Sequence, residues 1–149
     1  MKRFFFRSSL VLSALLAFQT TASADSDKPV TVSELPSAAQ AVLANSFAKH
    51  RVALAKMDTD LLDRNYDVFF VNGDKVEFDR KGQWLEIVSK QDGVPTELVP
   101  AEILKYLATA QEGVKIIKIE RERGRYEVTL ANGIEYTFNK KFQVIDVDR

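Results

Sequence analysis

The chain repeats itself, and this restricts its fold more than any bulk property, because one local structure must suit both copies and the copies must pack together. Tyr66-Asp67-Val68-Phe69-Phe70-Val71-Asn72-Gly73 aligns with Tyr126-Glu127-Val128-Thr129-Leu130-Ala131-Asn132-Gly133 at an offset of 60. The alignment runs on without a gap through Phe78 on Phe138, Lys81 on Lys141 and Gln83 on Gln143. Upstream, Val52 to Met57 matches Val114 to Ile119 at an offset of 62, and Leu35-Pro36 matches Val99-Pro100 at 64. The second copy is therefore expected to be two residues shorter at each of two connections, where length changes are tolerated.

Each copy reads as a helix followed by strands. Pro36 and Pro100 stand at helix starts, where a missing N–H costs nothing. Ala39, Val42, Leu43 and Phe47 recur at helical spacing, as do Ile103, Leu107 and Ala110. Strands are expected at Val52 to Asp58, Tyr66 to Val71, Lys75 to Asp79 and Trp84 to Val88. Asn72-Gly73 suggests a type I′ hairpin turn, and Asp79 to Gly82 a tight turn that differs in the second copy, where Phe142 replaces Gly82. Alternation puts Tyr66, Val68, Phe70, Val76, Phe78, Leu85 and Ile87 on one face, with Tyr126, Val128, Leu130, Tyr136, Phe138, Ile145 and Val147. The other face is mostly polar: Asp67, Lys75, Glu77 and Glu86, then Glu127, Thr129, Glu135, Thr137 and Asp146. Such a pattern suits an antiparallel sheet covered on one side. The expected fold is α+β, with tandem repeats (34–90 and 98–149) forming one sheet of about eight strands and both helices on one face.

The N-terminus points to export. Lys2, Arg3 and Arg7 precede an apolar run from Leu10 to Phe18, and Ala22-Ser23-Ala24 offers a small-x-small cleavage pattern. The run is too short to span a bilayer, which takes roughly 20 residues. Residues 1–24 read as a signal peptide cleaved after Ala24, residues 25–33 as a linker and 34–149 as a single domain. Periplasmic or secreted destinations follow. With no cysteine, disulfides, lipid attachment at a lipobox cysteine and thiolate zinc sites are excluded. The whole chain is formally neutral, so losing three basic residues leaves 0 − 3 = −3. That balance argues against nucleic acid and against docking on anionic lipid, and no membrane insertion is expected once the leader is gone.

Catalytic chemistry is poorly provided for. His50, the only histidine, stands between Lys49 and Arg51 with no partner at recognisable spacing, and reads as a solvated loop residue. No nucleophile elbow, phosphate loop or zinc helix is present. Asp58-Thr59-Asp60-Leu61-Leu62-Asp63 groups oxygen ligands that suit calcium, but Leu61 and Leu62 interrupt it and the turn glycine is missing, so a solvated hairpin loop is preferred. Arg121, Arg123 and Arg125 alternate with Glu120, Glu122 and Glu127 as a salt-bridged strand end. No enzyme activity, cofactor or metal is expected. The alternation projects Phe69, Val71, Trp84 and Val88 away from the helices, where their counterparts are Thr129, Ala131, Val144 and Asp148. A Trp-centred apolar patch of this kind marks a contact surface, unless it packs on Asp25 to Thr31 or forms a homodimer seam.

The Leu-Pro helix start, Tyr-Asp/Glu-Val, Asn-Gly, Glu77-x-Asp79-x-x-Gly82-x-Trp84-Leu85-Glu86 and a second Val-Pro start together resemble the PepSY-like proteins of bacterial envelopes, from about Glu34 to Asp148. The resemblance implies a fold similar to the secreted β-lactamase-inhibitor protein, and binding to or inhibition of another envelope protein through an open sheet face. The expected function is a non-enzymatic binding module using Trp84, Phe69, Val71 and Val88. The alternatives are a binder of small ligands or envelope polymers in a concave sheet, and a calcium-dependent module resting on Asp60.

Overall fold

The computed structural model describes residues 27–60 and 63–149; the expected signal peptide and its expected cleavage near Ala24 lie outside the described residues. A short strand β1 (Lys28–Val30) precedes helix α1 (Ser37–Ser46) and strands β2 (Val52–Thr59), β3 (Arg64–Phe70), β4 (Lys75–Phe78) and β5 (Trp84–Val88). Helix α2 (Ala101–Ala110) then precedes β6 (Ile116–Glu122), β7 (Arg125–Leu130), β8 (Glu135–Phe138) and β9 (Val144–Asp148). The strands form one sheet in the order β1 to β9, every neighbour antiparallel. Among the described residues nine strands stand where about eight were expected, because Lys28–Val30, inside the expected linker, pairs with Ala55 to Met57.

Both helices bury one stripe against the same sheet face. Ala39 and Leu43 from α1, Phe47 just beyond it, and Ile103 and Leu107 from α2 share one core with Val68, Val76, Phe78, Ile87, Ile119, Val128 and Phe138. Burying each large aliphatic or aromatic side chain contributes about 1.5–3 kcal/mol. Pro36 and Pro100 occupy the position before each helix. The halves join where Glu86, Ile87 and Val88 of β5 pair with Glu120, Ile119 and Lys118 of β6.

Strand pairing revises the offsets. Ala55 faces Val68 and Ile119 faces Val128, so β2 corresponds to β6 at 64, not 62. The N–H of Val71 donates to Arg51 O and that of Ala131 to Lys115 O, which keeps 64 through the preceding loop. The whole difference of four residues therefore falls at one hairpin: Thr59 pairs with Arg64 across a long turn, whereas Glu122 pairs with Arg125 across two residues.

Turn chemistry also differs from expectation. At Asn72-Gly73 only the glycine has positive φ, +90°; Gly73 N–H donates to Phe70 O and Phe70 N–H to Asp74 O. This is a three-residue turn closed by a left-handed glycine instead of a two-residue type I′ turn. Both central residues are left-handed at Arg123-Gly124 (φ +49° and +78°), the hairpin between β6 and β7. The β8–β9 turn copies the β4–β5 turn although Phe142 replaces Gly82. Phe142 takes φ +59°, its N–H donates to Asn139 O, and its ring sits 5.4 Å from that of Tyr126.

Candidate functional site

The face away from the helices carries a row of charges set by strand register. Lys56 pairs with Asp67, Asp67 with Glu77, Glu77 with Glu86, Glu86 with Glu120, and Glu120 with Glu127. Five carboxylates thus stand directly opposite one another across β3 to β7. Like charges in that relation destabilise a sheet. The adjacent row supplies the compensation: Phe69 pairs with Lys75, Lys75 with Val88, Val88 with Lys118, Lys118 with Thr129, and Thr129 with Glu135.

Lys75 Nζ lies 3.2 Å from Asp67, 3.3 Å from Glu86 and 3.6 Å from Glu77. Lys118 Nζ lies 3.1 Å from both Glu86 and Glu120. Burial alone would depress the two ammoniums, but the surrounding carboxylates outweigh it and hold both pKa values above the ordinary lysine value. Glu86 is held low: burial opposes its charge, yet Lys118 and Lys75 prevail. Glu77 is pushed up, chiefly by burial and only partly relieved by Lys75.

Compensation weakens at β7, where the neighbouring row offers Thr129 and then Glu135 and only the charge of Lys118 still favours the ionised Glu127. Burial, a hydrogen bond with Glu135, and the charges of Glu135 and Glu120 push Glu127 up to about 7. This end of the face therefore holds a carboxyl that is half protonated near neutral pH. Alternation assigns Glu127 and Glu135 to the polar face, but their confrontation with Glu120 depends on the register between β6, β7 and β8.

The apolar patch is smaller than expected. Phe69 lies on the open face, its ring 5.9 Å from the ammonium of Lys56 and 5.9 Å from that of Lys75. Val88 stands between Lys75 and Lys118, and Val71, just past β3, is 56 % exposed. Trp84 is not on this face. A bulge sets Phe78 against Trp84 while Glu77 stays against Glu86, so Leu85 is the extra residue and Trp84 turns into the core at 9 % exposure. The same bulge in β9 leaves Ile145 exposed instead of buried. Arg121, expected in a salt-bridged strand end, instead lies 4.8 Å over the Trp84 ring and donates to Trp84 O at 2.7 Å.

His50 is no solvated loop residue. Its side chain is 19 % exposed, edge-on to Phe47 and Phe70, with Nε2 3.4 Å from both Asp74 Oδ2 and Asp92 Oδ2. These partners lie 24 and 42 residues downstream, beyond any spacing rule. In the Asp58 to Asp63 segment, Asp60 N–H donates to Asp63 O, closing a hairpin; residues 61 and 62 lie outside the described residues. Among the described residues no helix is long and apolar enough to cross a membrane.

A family model described as "Putative beta-lactamase-inhibitor-like, PepSY-like" matches residues 64–146. Solved structures are similar as well, three of them from Bacteroides species. One, from Bacteroides vulgatus, is described as a "putative periplasmic protein from DUF2874 family"; it is 49 % identical, covers 85 % of this chain and 100 % of its own, and has a TM-score of 0.82. One from Bacteroides thetaiotaomicron, described as a "putative calcium-regulated periplasmic protein", is 46 % identical, covers 83 % and 97 %, and has a TM-score of 0.80. A second from Bacteroides vulgatus, of unknown function, is 36 % identical, covers 83 % and 100 %, and has a TM-score of 0.77. No curated protein matches the chain.

Proposed function

Because this chain belongs to the PepSY-like family, we propose that it is an exported, non-enzymatic binding module that grips another envelope protein through the open face of its sheet. The description of its structural neighbours as periplasmic supports a periplasmic place of action. The observation that carries the reading is the in-register carboxylate row ending at Glu127. A sheet optimised for its own stability would alternate charge signs across its strands. This one keeps carboxyls confronted and gives the last only the opposing charge of Lys118, too little to hold it in the ordinary carboxylate range, so a lysine or arginine of a partner would displace the Glu127 proton and form charge-assisted hydrogen bonds. Leu54, Phe69 and Val88, in the neighbouring row, give such a partner apolar contact beside the charges. Inhibition of an enzyme is one form this grip would take.

Affinity capture from native envelope extract tests the reading. The wild-type protein should retain a partner that Glu127→Lys/Glu135→Lys releases, with both proteins giving the same circular dichroism. Equal retention by the two would place the contact elsewhere.

A second reading starts from the calcium regulation in the description of the Bacteroides thetaiotaomicron neighbour. Glu120, Glu127 and Glu135 offer the all-oxygen donors calcium prefers. Calcium would then raise the melting temperature, and Glu127→Gln would remove that rise; an unchanged melting curve would count against it.

A further inference from the structure

His50, Asp74 and Asp92 come from three connections: the loop after α1, the β3–β4 turn and the segment after β5. One ligand atom from each, a ring nitrogen and two carboxylate oxygens, all lie within 4.8 Å of one another. We infer that these three residues form a binding site for a divalent transition-metal ion of the zinc type.

Several observations converge. Two carboxylate oxygens sit 3.4 Å from the same nitrogen, too far for charge-assisted hydrogen bonds, which run about 2.7–2.9 Å. Two ligands held about 2.1 Å from a tetrahedral ion stand about 3.4 Å apart, so the spacing is that of ligands around a shared centre. Asp74 is 2 % exposed and is oriented by hydrogen bonds to Oδ2 from Ser89 Oγ at 2.8 Å and Asn72 Nδ2 at 3.0 Å. The rings of Phe47 and Phe70, 5.4 and 5.6 Å from the imidazole, set its plane. His50 Nδ1 is buried with no hydrogen-bond partner, so the polar contacts of this ring run through Nε2.

The fold does not require this polarity. At the structural offset of 64 the place of His50 is taken by Val114, whose N–H donates to Gln111 O as that of His50 does to Phe47 O. Across the β7–β8 turn the place of Asp74 is taken by Ile134, and Leu130 N–H donates to Ile134 O as Phe70 N–H does to Asp74 O. Both replacements pack against the core. A buried carboxylate is costly without a counter-charge, and the second half shows that the same turns close with apolar residues. Two carboxylates and a neutral imidazole carry −2, which a divalent ion neutralises. The nitrogen donor favours zinc over calcium, which takes oxygen ligands. Asp92, 69 % exposed, leaves one side open, so the ion keeps a position for water or a fourth donor.

Titration calorimetry on the purified, tag-free, chelator-stripped protein tests this, with Zn²⁺ and Ca²⁺ in separate runs. One Zn²⁺ should bind per chain, raise the melting temperature, and bind more tightly than Ca²⁺ by at least tenfold. Asp92→Asn, at an exposed position, should weaken Zn²⁺ binding at least tenfold without changing the melting of the stripped protein. His50→Gln should weaken it further. Absence of one-to-one Zn²⁺ binding, tighter binding of Ca²⁺, or wild-type Zn²⁺ affinity in both variants would overturn the assignment. The site lies apart from the carboxylate row, and Glu127→Lys/Glu135→Lys should bind Zn²⁺ like the wild type, so the two proposals fail separately.

Discussion

A carboxyl that burial and two neighbouring glutamates push from the ordinary 4.5 up to about 7 links folding to pH. The folded state holds the Glu127 proton more tightly than the unfolded chain, so this residue favours folding fully below about pH 4.5. Its contribution falls as pH rises towards 7 and is gone above that. Glu127→Gln should flatten this slope and stabilise the protein at pH 8 by on the order of 1 kcal/mol, once solvent screening of a half-buried group is allowed for. Denaturant melts of both proteins between pH 4.5 and 8 read the difference, and parallel curves would show that the confrontation with Glu120 and Glu135 is relieved. Trp84 presents the opposite case, since it fills core space between Phe78, Tyr126 and the Arg121 guanidinium. Trp84→Ala should cost about 3–5 kcal/mol, whereas Phe69→Ala, on the open face, should cost much less. Comparable losses in urea titrations of the two would contradict the face assignment.

At the scale of elements, the turns decide which side chains reach which face. Gly82 has φ +80°, and a Cβ there would meet Ala39 N at 2.6 Å, at the start of α1. Gly82→Ala should therefore cost about 2 kcal/mol or more, from left-handed strain together with displacement of the helix. A loss under 0.5 kcal/mol in thermal melts would show that α1 yields easily. Phe142 tolerates the same backbone in the second half because its ring gains Tyr126. The two helices and four strands of each half were legible from periodicity and from the prolines. The bulge at Leu85 was not, because one extra residue breaks the alternation on its Trp84 side while Glu86 to Val88 keep theirs, and Leu85 and Trp84 suit either face. Nor was β1 legible, since Lys28-Pro29-Val30 acquires strand character only by pairing with β2. His50 remained hidden for a related reason: it meets Asp74 and Asp92 only when three separate connections converge.

At the scale of the molecule, one sheet presents two unlike surfaces. The helix side is a continuous apolar core running through both halves, and the side away from the helices is a charge lattice balanced by Lys56, Lys75 and Lys118 and left acidic at β7 and β8. A cation-bearing partner would complete that lattice, with Phe69 and Val88 beside it. The most direct measurement is chemical-shift mapping of the protein at pH 7 while a short oligolysine peptide is added at low salt. Shifts confined to β6, β7 and β8 around Glu120, Glu127 and Glu135, abolished in Glu127→Lys/Glu135→Lys, are the expected result. Shifts centred on α1 or α2, or scattered evenly over the surface, would contradict an open-face binding site.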